Sequence, residues 1–115
     1  MKKIAIFVFN GDPMCFVHVL LNAIAFSEKG YAVKTIIEGS ATGLLPELVK
    51  KENPLHKLWE KSKEIKVIEG VCKACANKMG ALQSALDQGL PLLYDMSGHP
   101  SMAAFKEDGW EIITF

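Results

Sequence analysis

Two cysteines separated by two residues, Cys72 and Cys75, are the part of this sequence best suited to chemistry. They lie in the stretch EGVCKACANKMG, residues 69–80, after the β-rich run IKVIEG and at the start of a segment of helical composition. A CxxC pair can close a disulfide, supply two metal ligands, or place a second thiol beside a reactive one. Two buried structural thiols are the remaining interpretation.

The predicted helix makes the two thiols unequal. At about 100° per residue, one stripe of this helix faces the sheet; it consists of Val71, Cys75, Met79, Leu82 and Leu86. Cys72 falls at the edge of this stripe in the first turn, where free N–H groups and the helix dipole stabilise a thiolate. Lys73 and Lys78 add positive potential. We therefore expect Cys72 to be partly exposed and reactive, and Cys75 to be packed.

Other cysteine and histidine residues leave a metal site open as an alternative to thiol redox chemistry. Cys15 and His18, three residues apart in the first predicted helix, can supply two further ligands, and His99 is another candidate. Thiolate and imidazole together suit zinc or an iron–sulfur cluster. His18 is better explained as an interface or rim residue, whereas His99 in Ser-Gly-His-Pro can equally be an ordinary exposed loop histidine. The preferred interpretation expects no metal and no other cofactor, and single glycines such as Gly11 do not make a phosphate-binding motif.

Alternation of β-rich and helical segments predicts how these residues are positioned. The predicted strands are Lys3–Phe9, Tyr31–Glu38, Ile65–Ile68, Leu90–Tyr94 and Glu111–Phe115. The predicted helices are 13–29, two short helices within 40–63, Val71–Gln88 and Pro100–Glu107. This pattern predicts one α/β domain over residues 1–115, with a mostly parallel five-stranded sheet between helices on both faces.

Parallel sheets collect ligand-binding residues at the carboxyl ends of their strands, where the strand order reverses. We expect a flavodoxin-like order, in which the first and third strands are neighbours. The loops after strands one, three and four then share an edge. Asn10, Cys15, Cys72 and His99 are predicted to lie together there.

Composition excludes several classes of partner. The chain has 13 basic residues, all of them Lys, balanced by 13 acidic residues. Without Arg it lacks the residue that best binds phosphate and guanine, so a nucleic-acid partner is not expected. No segment approaches a membrane-spanning length, and the short apolar run after Met1 reads as a strand rather than a signal peptide. Three cysteines without an export signal are expected to be reduced thiols in the cytoplasm.

The first predicted helix is apolar around most of its circumference. Phe16, Leu20 and Ile24 face the sheet, while Val19 and Phe26 interrupt the opposite polar side. A surface helix of this kind indicates a second contact, most simply between subunits.

Across nearly its whole length the sequence resembles the DsrE/DsrF-like sulfur-relay proteins, which include TusD-type sulfurtransferase subunits and uncharacterised relatives. The resemblance is carried by the order of KKIAIFVFNGDP, a helix, IKVIEGVCKACANKMG and a C-terminal WEIITF. Its most specific part is a cysteine opening the third helix with a glycine eight residues later, matched by Cys72 and Gly80.

The resemblance implies a sulfur carrier or sulfurtransferase subunit with a persulfide on Cys72 that is passed to a partner thiol. The alternative is an oligomeric thiol-redox, metal-binding or regulatory module of the same fold without sulfurtransferase activity. Cys75 is then expected to resolve the persulfide, while Asn10, Cys15 and His99 line the pocket and Lys78 keeps a positive charge near it. The family also implies a homo-oligomer (a trimer or hexamer) or a mixed complex of related subunits, working with sulfur donor and acceptor proteins.

Overall fold

Five parallel strands form the centre of the molecule in the computed structural model, which describes residues 2–115. The strands are β1 Lys3–Val8, β2 Ala32–Ile37, β3 Ile68–Cys72, β4 Leu92–Leu93 and β5 Glu111–Thr114. Their order in the sheet is β4-β3-β2-β1-β5, and every neighbouring pair is parallel. The predicted parallel α/β sheet is confirmed.

The predicted flavodoxin-like order is wrong, because β2 lies between β1 and β3. Three successive connections from β1 to β4 each move the chain one position in the same direction. Only the last connection returns to the other side of β1. Since parallel crossovers are right-handed, connections in one direction share a face of the sheet, and the returning connection crosses the opposite face.

The helices accordingly divide between the two faces. The helices between β1 and β4 are α1 Pro13–Glu28, α2 Leu45–Leu48, α3 His56–Glu64, α4 Lys73–Lys78 and α5 Leu82–Asp87, with a 3-10 segment over Gly39–Leu44. Their buried residues, such as Phe16 and Trp59, pack with Ile4, Ile6 and Val8 of β1 in the larger core. The alternate β1 residues pack on the other face, with Trp110 and α6 Met102–Glu107.

The first helix begins as its sequence predicts. The Asp12 side chain accepts a hydrogen bond from the Met14 N–H at 2.8 Å, and Pro13 is the first helical residue. Proline suits that position because its missing N–H would have no partner within the helix. This cap sets the point where the chain leaves β1 at the carboxyl edge of the sheet.

The third predicted helix is two helices in the structure, and its strand ends later than predicted. The strand β3 continues to Cys72, and α4 ends at Lys78. Gly80 then adopts φ +70°, which L-residues rarely adopt, and the chain turns before α5. The continuous stripe expected along this segment is therefore interrupted, and its members Met79 and Leu86 are exposed rather than packed.

Within residues 2–115, no helix is both long enough and apolar enough to cross a membrane.

Candidate functional site

Cys72 lies at the junction between the last residue of β3 and the first turn of α4. As the residue preceding α4, it accepts the Cys75 backbone N–H on its Sγ at 3.4 Å. Its side chain is fully buried. The expectation that Cys72 is partly exposed is wrong, because β3 carries the residue into the core before the helix begins.

Cys75 occupies the outer position of the pair. It lies one turn into α4 and is half-buried, whereas the neighbouring Ala76 is the α4 residue that packs into the core. The expected arrangement of a packed Cys75 and an exposed Cys72 is therefore reversed. All three cysteines of the chain are free thiols.

His99 brings both thiols to one imidazole. Its Nδ1 lies 3.1 Å from the Cys72 Sγ and 3.7 Å from the Cys75 Sγ. The loop that carries it is fixed from two sides. The Ala74 N–H donates to the Gly98 carbonyl at 2.9 Å, and Met96 and His99 exchange two backbone hydrogen bonds at 2.7 and 3.0 Å.

Glu38 is a fourth member of the site that the sequence analysis missed. It follows β2 directly and is 6 % exposed, and its backbone N–H donates to the Val8 carbonyl. No residue from 2 to 115 donates a side-chain hydrogen bond to its carboxyl group or forms an ion pair with it. The available signal was an acidic residue ending an apolar strand. Its relevance depended on β2 lying beside β3.

Burial raises the pKa of both buried acids in the site. The pKa of Glu38 rises to about 7, because the buried carboxylate loses hydration. Burial also raises the pKa of the Cys72 thiol to about 12, with a further upward contribution from its hydrogen bond with the Cys75 side chain. The protonated Cys72 thiol can point its hydrogen toward the Gly98 carbonyl, 3.8 Å away. In the metal-free protein Cys72 is therefore a neutral thiol near pH 7.

Together these four residues form a compact group of donor atoms. One atom from each of Glu38, Cys72, Cys75 and His99 lies within 4.8 Å of every other, so the group is able to hold a metal ion. The residues come from three separate carboxyl-end segments: the end of β2, the β3–α4 junction, and the loop before α6. We refer to them below as the four-donor site.

The structure places the other sequence-predicted site residues outside this group. Asn10 and Cys15 contact each other at the end of β1, with the Asn10 Nδ2 3.5 Å from the Cys15 Sγ. His18 is exposed on α1, and Lys78 is exposed at the end of α4. The predicted pairing of Cys15 and His18 with the CxxC motif is thus not made, because β2 separates β1 from β3.

Comparison with known proteins gives relatives without an assigned role. An uncharacterised protein of Methanocaldococcus jannaschii is 36 % identical over 96 residues, which cover 84 % of this chain and 76 % of that protein. An uncharacterised protein of Archaeoglobus fulgidus is 54 % identical over 41 residues, covering 36 % of this chain and 67 % of that protein. No protein-family model matches the sequence.

Proposed function

We propose that this chain carries sulfane sulfur on its CxxC pair and delivers it to a partner thiol. The chain belongs to the same protein family as the uncharacterised Methanocaldococcus jannaschii relative. The observation that carries the proposal is the contact of two free thiols with one imidazole, at 3.1 and 3.7 Å. The resemblance to DsrE/DsrF-like proteins supports sulfur as the cargo, and the reduced thiols it requires fit a cytoplasmic setting.

Burial determines which thiol reacts first. A sulfur donor must reach the attacking sulfur, and the attacking form is the thiolate. Cys72 is fully buried and its pKa is raised to about 12, whereas Cys75 is half-buried. We therefore assign the first persulfide to Cys75, and we give Cys72 the role of the second thiol that the sequence had assigned to Cys75.

His99 supplies the proton acceptor in this scheme. With its other ring nitrogen protonated, the Nδ1 atom can accept the Cys75 thiol proton across 3.7 Å, after a small approach of the two side chains. The resulting thiolate attacks the outer sulfur of a donor persulfide. A Cys75–S–SH forms, the donor's S–S bond breaks, and the donor leaves as a thiolate that takes up a proton.

The Cys75 persulfide can then react in two ways. An acceptor thiolate can attack the outer sulfur, which yields an acceptor persulfide and regenerates Cys75. Alternatively, Cys72 can attack the inner sulfur, which forms the Cys72–Cys75 disulfide and releases hydrosulfide. In this reaction two thiols and one sulfane sulfur become one disulfide and one sulfide. The buried position and high pKa of Cys72 make this second reaction slow.

The test is sulfur loading of the reduced, metal-free protein by a cysteine desulfurase with cysteine, followed by intact-mass measurement. We expect a gain of one sulfur atom that reductant removes. The gain should be absent in Cys75→Ser and present in the matched variant Cys15→Ser, whose thiol lies outside the four-donor site. It should last longer in Cys72→Ser, because the resolving thiol is gone.

Other outcomes would contradict the proposal in distinct ways. Loading that persists in Cys75→Ser and disappears in Cys72→Ser would return the carrier role to Cys72. Formation of the disulfide without any sulfur adduct would indicate a thiol-redox module, and no reaction at any cysteine would refute sulfur transfer.

A further inference from the structure

The four-donor site has the ligand types and the spacing of a thiolate-rich metal centre. We propose that Glu38, Cys72, Cys75 and His99 bind one zinc-class divalent cation. This inference concerns metal binding alone, and it stands whether or not the cysteines carry sulfur. It differs from the metal site considered from the sequence, because Cys15 and His18 are replaced by Glu38.

The distances fit tetrahedral coordination. Bonds of about 2.0 to 2.3 Å from zinc to nitrogen, oxygen and sulfur ligands place neighbouring ligand atoms about 3.5 Å apart. In the site the His99 Nδ1 lies 3.1 Å from one sulfur and 3.7 Å from the other, and all four donor atoms fall within 4.8 Å of one another. Side-chain rotations that bring the remaining donor pairs, all within 4.8 Å, to about 3.5 Å would complete the tetrahedron.

The backbone already holds the ligands together. Gly98 comes close to α4, where a Cβ on Gly98 would lie 3.2 Å from the Ala74 Cβ, and its carbonyl accepts the Ala74 N–H. This contact joins the loop carrying His99 to the helix carrying Cys75. A metal ion would therefore bind a site assembled by the fold rather than gather distant residues, which lowers the conformational cost of binding.

The electrostatics of the group also favour a cation. A carboxylate that is buried in its charged form is stabilised by a paired positive charge or by a metal ion. The Glu38 carboxyl group is buried without an ion pair or side-chain hydrogen bond from residues 2–115. It lies within 4.8 Å of two thiol sulfurs, which lose their protons and become negatively charged when they ligate a metal. A divalent cation would offset two of the three negative charges that these groups carry as ligands.

The donor set selects the kind of metal. Two thiolates and an imidazole favour zinc or other borderline-soft transition metals, whereas magnesium and calcium prefer all-oxygen ligands. The Cys75 N–H that points at the Cys72 sulfur would stabilise a metal-bound thiolate there. The half-buried Cys75 and His99 leave one side of the ion toward the surface, where metal can enter and leave.

The test uses cobalt(II) as a spectroscopic probe of the zinc site in reduced, chelator-treated protein without oxygen. We expect one cobalt ion per chain, with a thiolate-to-cobalt charge-transfer band and the intense visible bands of tetrahedral cobalt. Zinc should abolish both sets of bands. Cys75→Ser and Glu38→Gln should each lower cobalt affinity by at least about 10–100-fold, the range already seen when only a residue supporting a ligand is lost.

Matched controls separate the site from surface binding. Cys15→Ser and His18→Gln remove a thiol and an imidazole that the structure places outside the group, and should leave the titration unchanged. Circular dichroism must show each variant folded, and the half-buried Cys75 makes Cys75→Ser the decisive variant. Weak octahedral bands, or a cobalt affinity that is unchanged in Cys75→Ser, would overturn the site. No sulfur donor is present, so this result is independent of sulfur transfer.

Discussion

At the residue scale, burial distinguishes the two cysteines of the CxxC pair. In brief iodoacetamide treatment of native, metal-free protein near neutral pH, we expect Cys75 to be alkylated faster than Cys72. The reason is that Cys72 is fully buried with a pKa raised to about 12, while Cys75 is half-buried. Peptide mass spectrometry would measure both rates, and denatured protein would give the unprotected reference. Faster labelling of Cys72 would contradict this ordering.

Glu38 gives a second residue-scale prediction, in which the site lowers the stability of the metal-free fold. Because burial raises its folded pKa from 4.5 to about 7, the folded state binds more protons than the unfolded state between these values. Stability of the metal-free protein should therefore fall as pH rises through this range. Glu38→Gln removes the penalty, so we expect roughly 1–3 kcal/mol higher stability at pH 8 and little difference near pH 4.

Urea unfolding of chelator-treated protein at the two pH values would measure this effect. Equal changes at both pH values would indicate altered packing instead of altered ionisation. If Glu38→Gln raises stability and lowers cobalt affinity, Glu38 serves as a metal ligand at the expense of the stability of the metal-free fold. A loss of stability at pH 8 would contradict the burial argument.

The sequence identified three of the four donors and missed the fourth for a topological reason. The CxxC pair and His99 were recognisable from residue type and from their positions after strands. Glu38 was recognisable only once the neighbour of β3 was known, because its carboxyl group enters the site from β2. The predicted exposures of the two thiols were also inverted. The strand β3 ends four residues later than predicted, so Cys72 lies in the core instead of on the helix surface.

At the element scale, the short β3–β4 pairing positions the chain that leads to His99. A Cβ added to Gly70 in β3 would lie 2.7 Å from the Pro91 carbonyl oxygen and 3.0 Å from the Leu93 Cγ. Because a backbone atom cannot yield as a flexible side chain does, Gly70→Ala should destabilise the protein by about 1–3 kcal/mol. In Gly43→Ala the new methyl meets only the Met79 Cε, at 3.0 Å.

Urea denaturation of the two variants would provide the matched comparison. Met79 is exposed and can move, so Gly43→Ala should stay within about 0.5 kcal/mol of the parent or gain slightly from a less flexible unfolded chain. Equal stabilities of the two alanine variants would contradict the close approach of β3 and β4.

Helix and strand identity were largely predictable, whereas the interruption near Gly80 was not. The apolar runs and the Asp12 cap predicted β1 and α1 closely. Residues 71–88 carry a helical pattern throughout, so local propensity alone favours one helix. The break depends on Gly80 adopting φ +70°. Glycine can adopt this value, but it can also continue a helix, so its presence alone does not predict the break.

At the scale of the whole molecule, the strand order decides which loops can cooperate. Local sequence patterns predict each helix and strand, but not the direction in which successive crossovers place the next strand in the sheet. The flavodoxin-like order and the observed order were therefore equally compatible with the sequence. The observed order brings the segments after β2 and β3 together and leaves the Asn10–Cys15 pair outside the four-donor site.

The outer face of α1 leads to the prediction that the protein self-associates. Met14 is 78 % exposed and Leu21 is 48 % exposed, and with His18 and Ala25 they recur at helical spacing on the solvent side. An exposed apolar stripe on a helix is typical of a contact surface. We therefore expect self-association in light scattering at micromolar concentration, and the resemblance to DsrE/DsrF-like proteins predicts a trimer or larger assembly.

A charge placed in this stripe should dissociate the assembly, because association would bury it without a partner. We expect Leu21→Glu to give a 12.7 kDa monomer. The matched variant Leu86→Glu changes another exposed leucine, on α5, and should keep the parent's mass. Circular dichroism of both variants would show that the fold is intact. A monomeric parent protein would refute self-association, and dissociation by Leu86→Glu alone would move the contact surface from α1 to α5.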